Sequence, residues 1–290
     1  MTPPPDNGQS KRDRREEARE KARIAREAAA RKHRRNRFLI QGGIGVGILA
    51  VAAVVVLVIV SSIAPAAPGP KNMASGGILL QGNATTSKIT AVKTAAVKAG
   101  GTPKATDQKK LTKTVNITTY IDYQCPYCNQ FETTNEAQIK TWLEKGAVTL
   151  EVHPIAILDR SSNGKKYSTR SANAAMCVAN YQPTAFLAVN ASFYKNQPAE
   201  GTDGLTDQKL ISLVKAAGAT NSKIPSCITD KKFESFVSSE TSRALSSKLP
   251  NSTIGKLSST PTVIVNGKQF TGAPTDATAF QSFVASQASS

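Results

Sequence analysis

Two thiols stand one helical turn apart in Cys125-Pro126-Tyr127-Cys128. That spacing permits three chemistries. The sulfurs can supply half of a zinc site, close on each other as a fixed disulfide, or exchange that disulfide with another protein. A zinc site needs two further ligands, and His153 is the only histidine beyond the first 37 residues. The elements around the pair narrow the choice. Val115 to Tyr123 is rich in β-branched and aromatic residues and reads as a strand. Pro126 suits the first turn of a helix, where its missing N–H costs nothing. Phe131, Ile139, Trp142 and Leu143 then fall near one face of a helix that stops at Gly146.

A cysteine at such a helix start meets unpaired N–H donors and about half a positive charge. Its thiolate is stabilised there, so its pKa drops below the ~8.5 of a free thiol. Cys125 is therefore the candidate nucleophile and the predicted exposed sulfur. Cys128, one turn further in, is predicted to be more buried and to resolve the mixed disulfide. A stabilised Cys125 thiolate favours the dithiol, which makes the disulfide the better oxidant.

The compartment follows from the first 76 residues. Residues 38–60 carry no charge over 23 positions, and at ~1.5 Å per residue they span the ~30 Å hydrocarbon core of a bilayer. Residues 1–37 hold 13 Lys and Arg against 6 Asp and Glu, part of a net charge of +17. The positive-inside rule then leaves this basic arm in the cytoplasm and exports everything after the span. Ala64-Pro65-Ala66 supports a rival reading as a cleaved signal peptide. The apolar run exceeds the ~7–15 residues of a signal core, which favours a retained single-pass anchor. Residues 11–35 fit a solvated helix beside a membrane, and no aromatic interleaving or binding motif accompanies their charge, so nucleic acid is not an expected partner. Exported cysteines meet an oxidising environment, which favours disulfide chemistry.

Pro65, Pro68 and Pro70 mark a linker over 61–76, and order is expected from about Gly77. Residues 81–110 alternate only weakly. Ala147 to Leu158 reads as a second strand. Ser171–Ala179, Ala185–Tyr194, Asp207–Ala217 and Lys231–Ala244 each show helical apolar spacing. Thr262–Val265 reads as a strand, Asn266-Gly267 as a hairpin turn and Lys268–Phe270 as its return. A last helix is expected over Asp276–Ala288. Pro261, at the head of a β run, reads by itself as a strand boundary.

Two blocks carry a resemblance: Asp122-Tyr123-Gln124-Cys125-Pro126-Tyr127-Cys128-Asn129-Gln130-Phe131-Glu132, and far downstream Thr260-Pro261-Thr262-Val263-Ile264-Val265-Asn266-Gly267-Lys268. In both, the chain resembles the DsbA-like branch of the thioredoxin superfamily, and its anchor is similar to that of actinobacterial members. The resemblance spans residues 77–290. It implies an α/β thioredoxin fold with an inserted helical subdomain at about 160–250, preceded by a single transmembrane helix. It also implies a cis Pro261 beside the redox pair, with the Thr260 backbone pairing an extended substrate. The activity implied is a thiol-disulfide exchange that introduces disulfides into exported proteins with free thiols. A membrane quinone-linked thiol oxidase would reoxidise the pair.

No cofactor or metal is called for. The best-known periplasmic relative has His where this chain has Tyr127, so Tyr127 is expected to leave Cys125 less acidic and the direction of exchange open to an isomerase or reductase. A reading of another class is an anchored binding module with a fixed Cys125–Cys128 disulfide. Cys177 and Cys227 fall in the helical region, where a structural disulfide is expected and a second redox couple is the alternative. Asp122 is read as a helix-approach cap, a proton carrier for Cys128 or a solvated loop acid. His153 and Trp142 are read as packing residues. Residues 77–111 look too short for an added dimerisation domain, so a monomer is expected.

Overall fold

The computed structural model describes residues 67–111 and 114–288, with Glu20 alone before them. The basic arm, the apolar run 38–60 and the first part of the Pro-rich stretch lie outside the described residues. Among those described, no helix is long and apolar enough to cross a membrane.

Six strands make one sheet: β1 (Ile78–Asn83), β2 (Lys88–Ala91), β3 (Val115–Ile121), β4 (Val148–Pro154), β5 (Thr262–Val265) and β6 (Lys268–Gln269), in the order β2-β1-β4-β3-β5-β6. β3 and β4 run parallel, joined across helix α1 (Pro126–Glu144), while the remaining neighbours pair antiparallel. β3 sits inside the sheet and is buried along almost its whole length, as its β-branched composition requires. α1 ends in a Schellman turn. Gly146 takes φ +64°, its N–H bonds to Leu143 O at 2.8 Å, and the Ala147 N–H reaches Trp142 O at 2.9 Å. Asn266 and Gly267, both at positive φ, turn β5 into β6.

The weakly alternating stretch after Gly77 is a hairpin, β1–β2, that extends the sheet beyond β4. It packs against the end of α1 so closely that a side chain at Gly82 would meet the carbonyl oxygen of Leu143 at 1.6 Å. Folded structure also begins before Gly77. The Gly69 N–H bonds to Val97 O at 2.9 Å, Met73 is fully buried and Ser75 nearly so. The second half of the expected linker is thus held by the sheet and the helices rather than by its own sequence.

Between β4 and β5 the chain makes helices α2 (Tyr167–Tyr181), α3 (Phe186–Lys195), α4 (Asp207–Ala216), α5 (Ile224–Thr229) and α6 (Glu234–Ser246); α7 (Ala277–Ala288) closes the fold. The short α5 has no counterpart in the sequence reading, because six residues are too few to show a helical period. One core joins α1, α7 and the inserted helices to one side of the sheet, with Phe131, Phe270 and Phe280 stacked edge to face. A smaller core of Tyr120, Ile155, Ala244, Leu249, Leu257 and Ile264 sits apart from it. Trp142 is partly buried against Phe280, at 6.0 Å between ring centroids. His153 stacks on Tyr120 at 4.5 Å and its Nε2 lies 3.4 Å from the buried Glu151 carboxylate.

Candidate active site

Asp122 to Gln124 follow the C-terminal end of β3, and α1 starts immediately after Cys125. Cys125 is the N-cap, extended at φ −73° and ψ 118°, and Pro126 opens the helix. The Cys125 carbonyl accepts from the Asn129 N–H at 3.1 Å, and the Cys125 N–H donates to Asp122 O at 3.0 Å. This is the strand-to-helix setting that the local sequence predicts.

The loop before β5 meets the pair from the other side. Thr260–Pro261 is a cis peptide bond, and the Cys125 thiol donates to the Thr260 carbonyl at 3.2 Å. Residues 135 positions apart in sequence therefore share one site. Both cysteines are free thiols. Cys125 departs from the expectation of an exposed sulfur. It is only 4% exposed, because the Thr260 loop folds over it, and Cys128 is fully buried. Tyr127 is the exposed member of the motif, at 62%.

The surroundings separate the two thiols electrically. The Cys125 thiol is brought down to about 6, first by a hydrogen bond from the Cys128 thiol, then by the Thr260 hydroxyl and the backbone N–H groups of Cys128 and Tyr127; burial opposes them. Burial pushes Cys128 well above the ordinary thiol range, and the neighbouring Cys125 adds to it. The Thr260 hydroxyl is buried without a partner in the thiol form. When Cys125 ionises, its sulfur can no longer donate to the Thr260 carbonyl and becomes an acceptor for this hydroxyl.

Asp122 is fully buried, which overturns the solvated-loop reading. Its carboxylate accepts from the N–H groups of Gln124 and Leu158, each at 2.9 Å, so it ties the approach to α1 to the chain leaving β4. Burial raises it to about 6, against the pull of those donors. Glu132 closes the first resemblance block without a role assigned to it there, although it lies four residues after Cys128 and so on the same helix face. Burial lifts it to about 7, while Asn190 Nδ2 donates to it at 3.0 Å. Asn190 in turn accepts from Tyr123 Oη at 2.9 Å. Glu132, Asn190, Tyr194 and Thr119 line a small cavity, where the Thr119 hydroxyl has no partner. The insert residues Asn190, Tyr194 and Gln197 carry no local signal that would have placed them here.

Cys177 in α2 and Cys227 in α5 are joined by a disulfide, 5.9 Å between Cα atoms, and both are buried. Among the described residues, no group of three or more His, Cys, Asp or Glu side chains could hold a metal ion. The site can thus carry out thiol–disulfide exchange: one acidic thiol at a helix start, a resolving thiol one turn further in, and a backbone carbonyl beside the first.

A family model described as thioredoxin matches residues 111–285. BdbD from Bacillus subtilis superposes with a TM-score of 0.53 at 16% identity, over 78% of this chain and all of that one. MdbA from Corynebacterium matruchotii, a thiol-disulfide oxidoreductase, gives 0.50 at 21% identity, over 70% of this chain and 90% of its own. DsbA from Mycobacterium tuberculosis is 28% identical over 60% of this chain and 89% of its own, with a TM-score of 0.48. No curated protein matches. The thioredoxin match covers more than half of the 290 residues and takes in both cysteines of the motif and the cis-proline loop, so the chain belongs to the thioredoxin family.

Proposed function

We propose that this protein is an extracytoplasmic thiol-disulfide oxidoreductase, anchored by residues 38–60, that introduces disulfides into exported proteins. The observation that carries the reading is the placement of the two thiols: Cys125 at the helix start, 3.2 Å from the Thr260 carbonyl of the cis-proline loop, and Cys128 fully buried one turn inside, an arrangement that lowers the first thiol and raises the second. A depressed leading thiol stabilises the reduced form and so makes the disulfide oxidising. The export of the domain rests on the charge asymmetry around the apolar run.

In the forward reaction a substrate thiolate attacks the Cys125 sulfur of the Cys125–Cys128 disulfide. The Cys125–Cys128 bond breaks, a substrate–Cys125 bond forms, and Cys128 leaves as a thiolate that takes up a proton. The substrate's second thiolate then attacks its own sulfur in the mixed disulfide and expels Cys125. Two electrons pass to this protein and the substrate gains one disulfide. Cys125 is a good leaving group because its thiolate is stabilised where it is released. The Thr260 carbonyl, already within 3.2 Å of Cys125, is a backbone acceptor for an extended substrate N–H beside the reacting sulfur. Each cycle ends with a dithiol, so an electron acceptor must restore the disulfide, and a quinone-linked thiol oxidase in the same membrane is the proposed one.

The test is the equilibrium of the pair with glutathione. A potential near about −120 mV supports the oxidase, and one near about −270 mV assigns a reductant instead. A Cys128→Ser variant loaded at Cys125 as its mixed disulfide with glutathione should exchange with a thiol of a reduced, unfolded exported protein, releasing glutathione and holding that protein on Cys125. Failure to trap any would favour the binding module with a fixed disulfide.

A further inference from the structure

Gln197, on the tail that follows α3 in the helical insert, reaches the redox motif with its side chain. Its Nε2 donates to the carbonyl of Tyr123 at 3.0 Å and to the carbonyl of Cys125 at 2.9 Å. Its Oε1 accepts from Asn129 Nδ2 at 3.1 Å. One amide thus bridges the residue two places before the nucleophile, the nucleophile itself and the residue just after Cys128. Neighbouring groups of the insert reinforce the grip. Tyr194 Oη donates to Asp122 O at 3.3 Å, and Asn129 Nδ2 is shared with Tyr194 O at 3.2 Å.

We infer that Gln197 is a positioning residue for the exchange reaction, through which the helical insert sets the acidity and oxidising strength of Cys125. The inference deepens the oxidoreductase reading and rests on it for its functional meaning. Two physical effects give it the same sign. The N–H groups of Tyr127 and Cys128 can point at the Cys125 sulfur only while Cys125 keeps its extended N-cap conformation, and its carbonyl is one of the two atoms that Gln197 fixes. Carbonyl oxygens close to a thiolate also repel it, and a donor bonded to each of those two oxygens relieves that repulsion. Loss of the amide should therefore raise the Cys125 thiol and make the disulfide a weaker oxidant.

Gln182 offers a matched control within the same subdomain. Its Nε2 donates to Gly218 O at 2.8 Å and its Oε1 accepts from the N–H groups of Thr220 and Asn221, each at 2.9 Å. It makes as many bonds as Gln197, and all of them lie within the insert.

The experiment compares Gln197→Met, Gln197→Glu and Gln182→Met with the wild-type chain. Thiolate absorbance against pH reads the Cys125 midpoint, and glutathione buffers read the equilibrium constant. Gln197→Met should raise the midpoint by roughly half a unit to one unit. The constant should weaken by about three- to tenfold, which is ~15–30 mV. Gln197→Glu keeps the shape and the acceptor for Asn129 but replaces the donor with a negative charge, so its shift should be at least as large. It also supplies the answer if Gln197→Met does not fold. Gln182→Met should lose stability and leave both readings at the wild-type values. The inference is overturned if either Gln197 variant titrates like wild type, or if Gln182→Met moves the midpoint equally. A wild-type chain with no reversible couple in glutathione would overturn the oxidoreductase reading, while the thiolate titration would still decide the role of Gln197.

Discussion

Cys125 and Cys227 are almost equally hidden from solvent, 4% and 3% exposed, yet one is a free thiol of unusual acidity and the other half of a closed disulfide. Burial therefore does not decide what a sulfur does in this protein. The difference lies in what the sulfur is buried among. Cys125 sits at the mouth of a helix, with backbone N–H groups, a second thiol and the Thr260 hydroxyl directed at it. Cys177 and Cys227 face each other between α2 and α5, with Ala174 and Ile224 one turn away on their own helices. Polar donors stabilise a thiolate and hold the first pair ready to exchange. An apolar surround destabilises a thiolate and leaves the second pair nothing to exchange with.

The sharpest way to break this contrast is to remove the leading sulfur of the first pair and both sulfurs of the second. Cys125→Ser should abolish exchange, with disulfide formation in a reduced substrate falling to the rate of the buffer alone. Replacing Cys177 and Cys227 together by Ala should lower stability by about 4 kcal/mol, from the chain-entropy cost of a loop of 50 residues, measured by denaturant unfolding. The potential of the Cys125–Cys128 pair should stay where it was. A change in that potential would mean that the two pairs are not independent.

The pH dependence of the reduced form should show the next largest effect. The folded Cys125 value, about 6, lies below its ordinary value of 9.0. The resulting stability is fully present above the unfolded value and is lost as pH falls through the folded one. Reduced protein should gain about 1.4 kcal/mol per pH unit between about pH 6 and 8, relative to the disulfide form. The comparison with the disulfide form matters, because Asp122 and Glu132 titrate in both. Their folded values are raised to about 6 and about 7, so in either form they weaken folding as pH climbs from about 4 to 7. A reduced-minus-oxidised difference that is flat with pH would contradict the acidic thiol.

Smaller effects sharpen the contrast from within the motif. Tyr127 is exposed, so a Tyr127→His variant changes charge near Cys125 without disturbing the core. It should strengthen the oxidant by roughly three- to tenfold below about pH 6.5, read as the equilibrium constant with glutathione. Thr260→Val removes a hydroxyl that has no partner in the thiol form, so stability should hardly change. The Cys125 midpoint should still rise by a few tenths of a unit, visible in the thiolate absorbance.

Much of this site could be read along the chain, because its central part is local. The β-branched run before Cys125, Pro126 at the first turn and Gly146 at the last are signals within about 30 residues, and the structure follows each of them. Asn266-Gly267 set the β5–β6 turn in the same way. The β1–β2 hairpin was harder, since its outer strand is only partly buried and needs no strict alternation. The burial of Asp122 was invisible, because the N–H of Leu158 that holds it comes from the segment after β4, 36 residues away.

The sequence by itself determined which sulfur leads. Helix polarity is a property of consecutive residues, so Cys125 is the thiol at the helix start wherever α1 is placed. How far that thiol is exposed, and how strongly it is held, only the tertiary structure decided. Thr260 covers it from 135 residues downstream and Gln197 grips its carbonyl from 72 residues away. Contacts of that kind depend on how the sheet, the cis-proline loop and the insert close on one another, and no spacing within the motif records them.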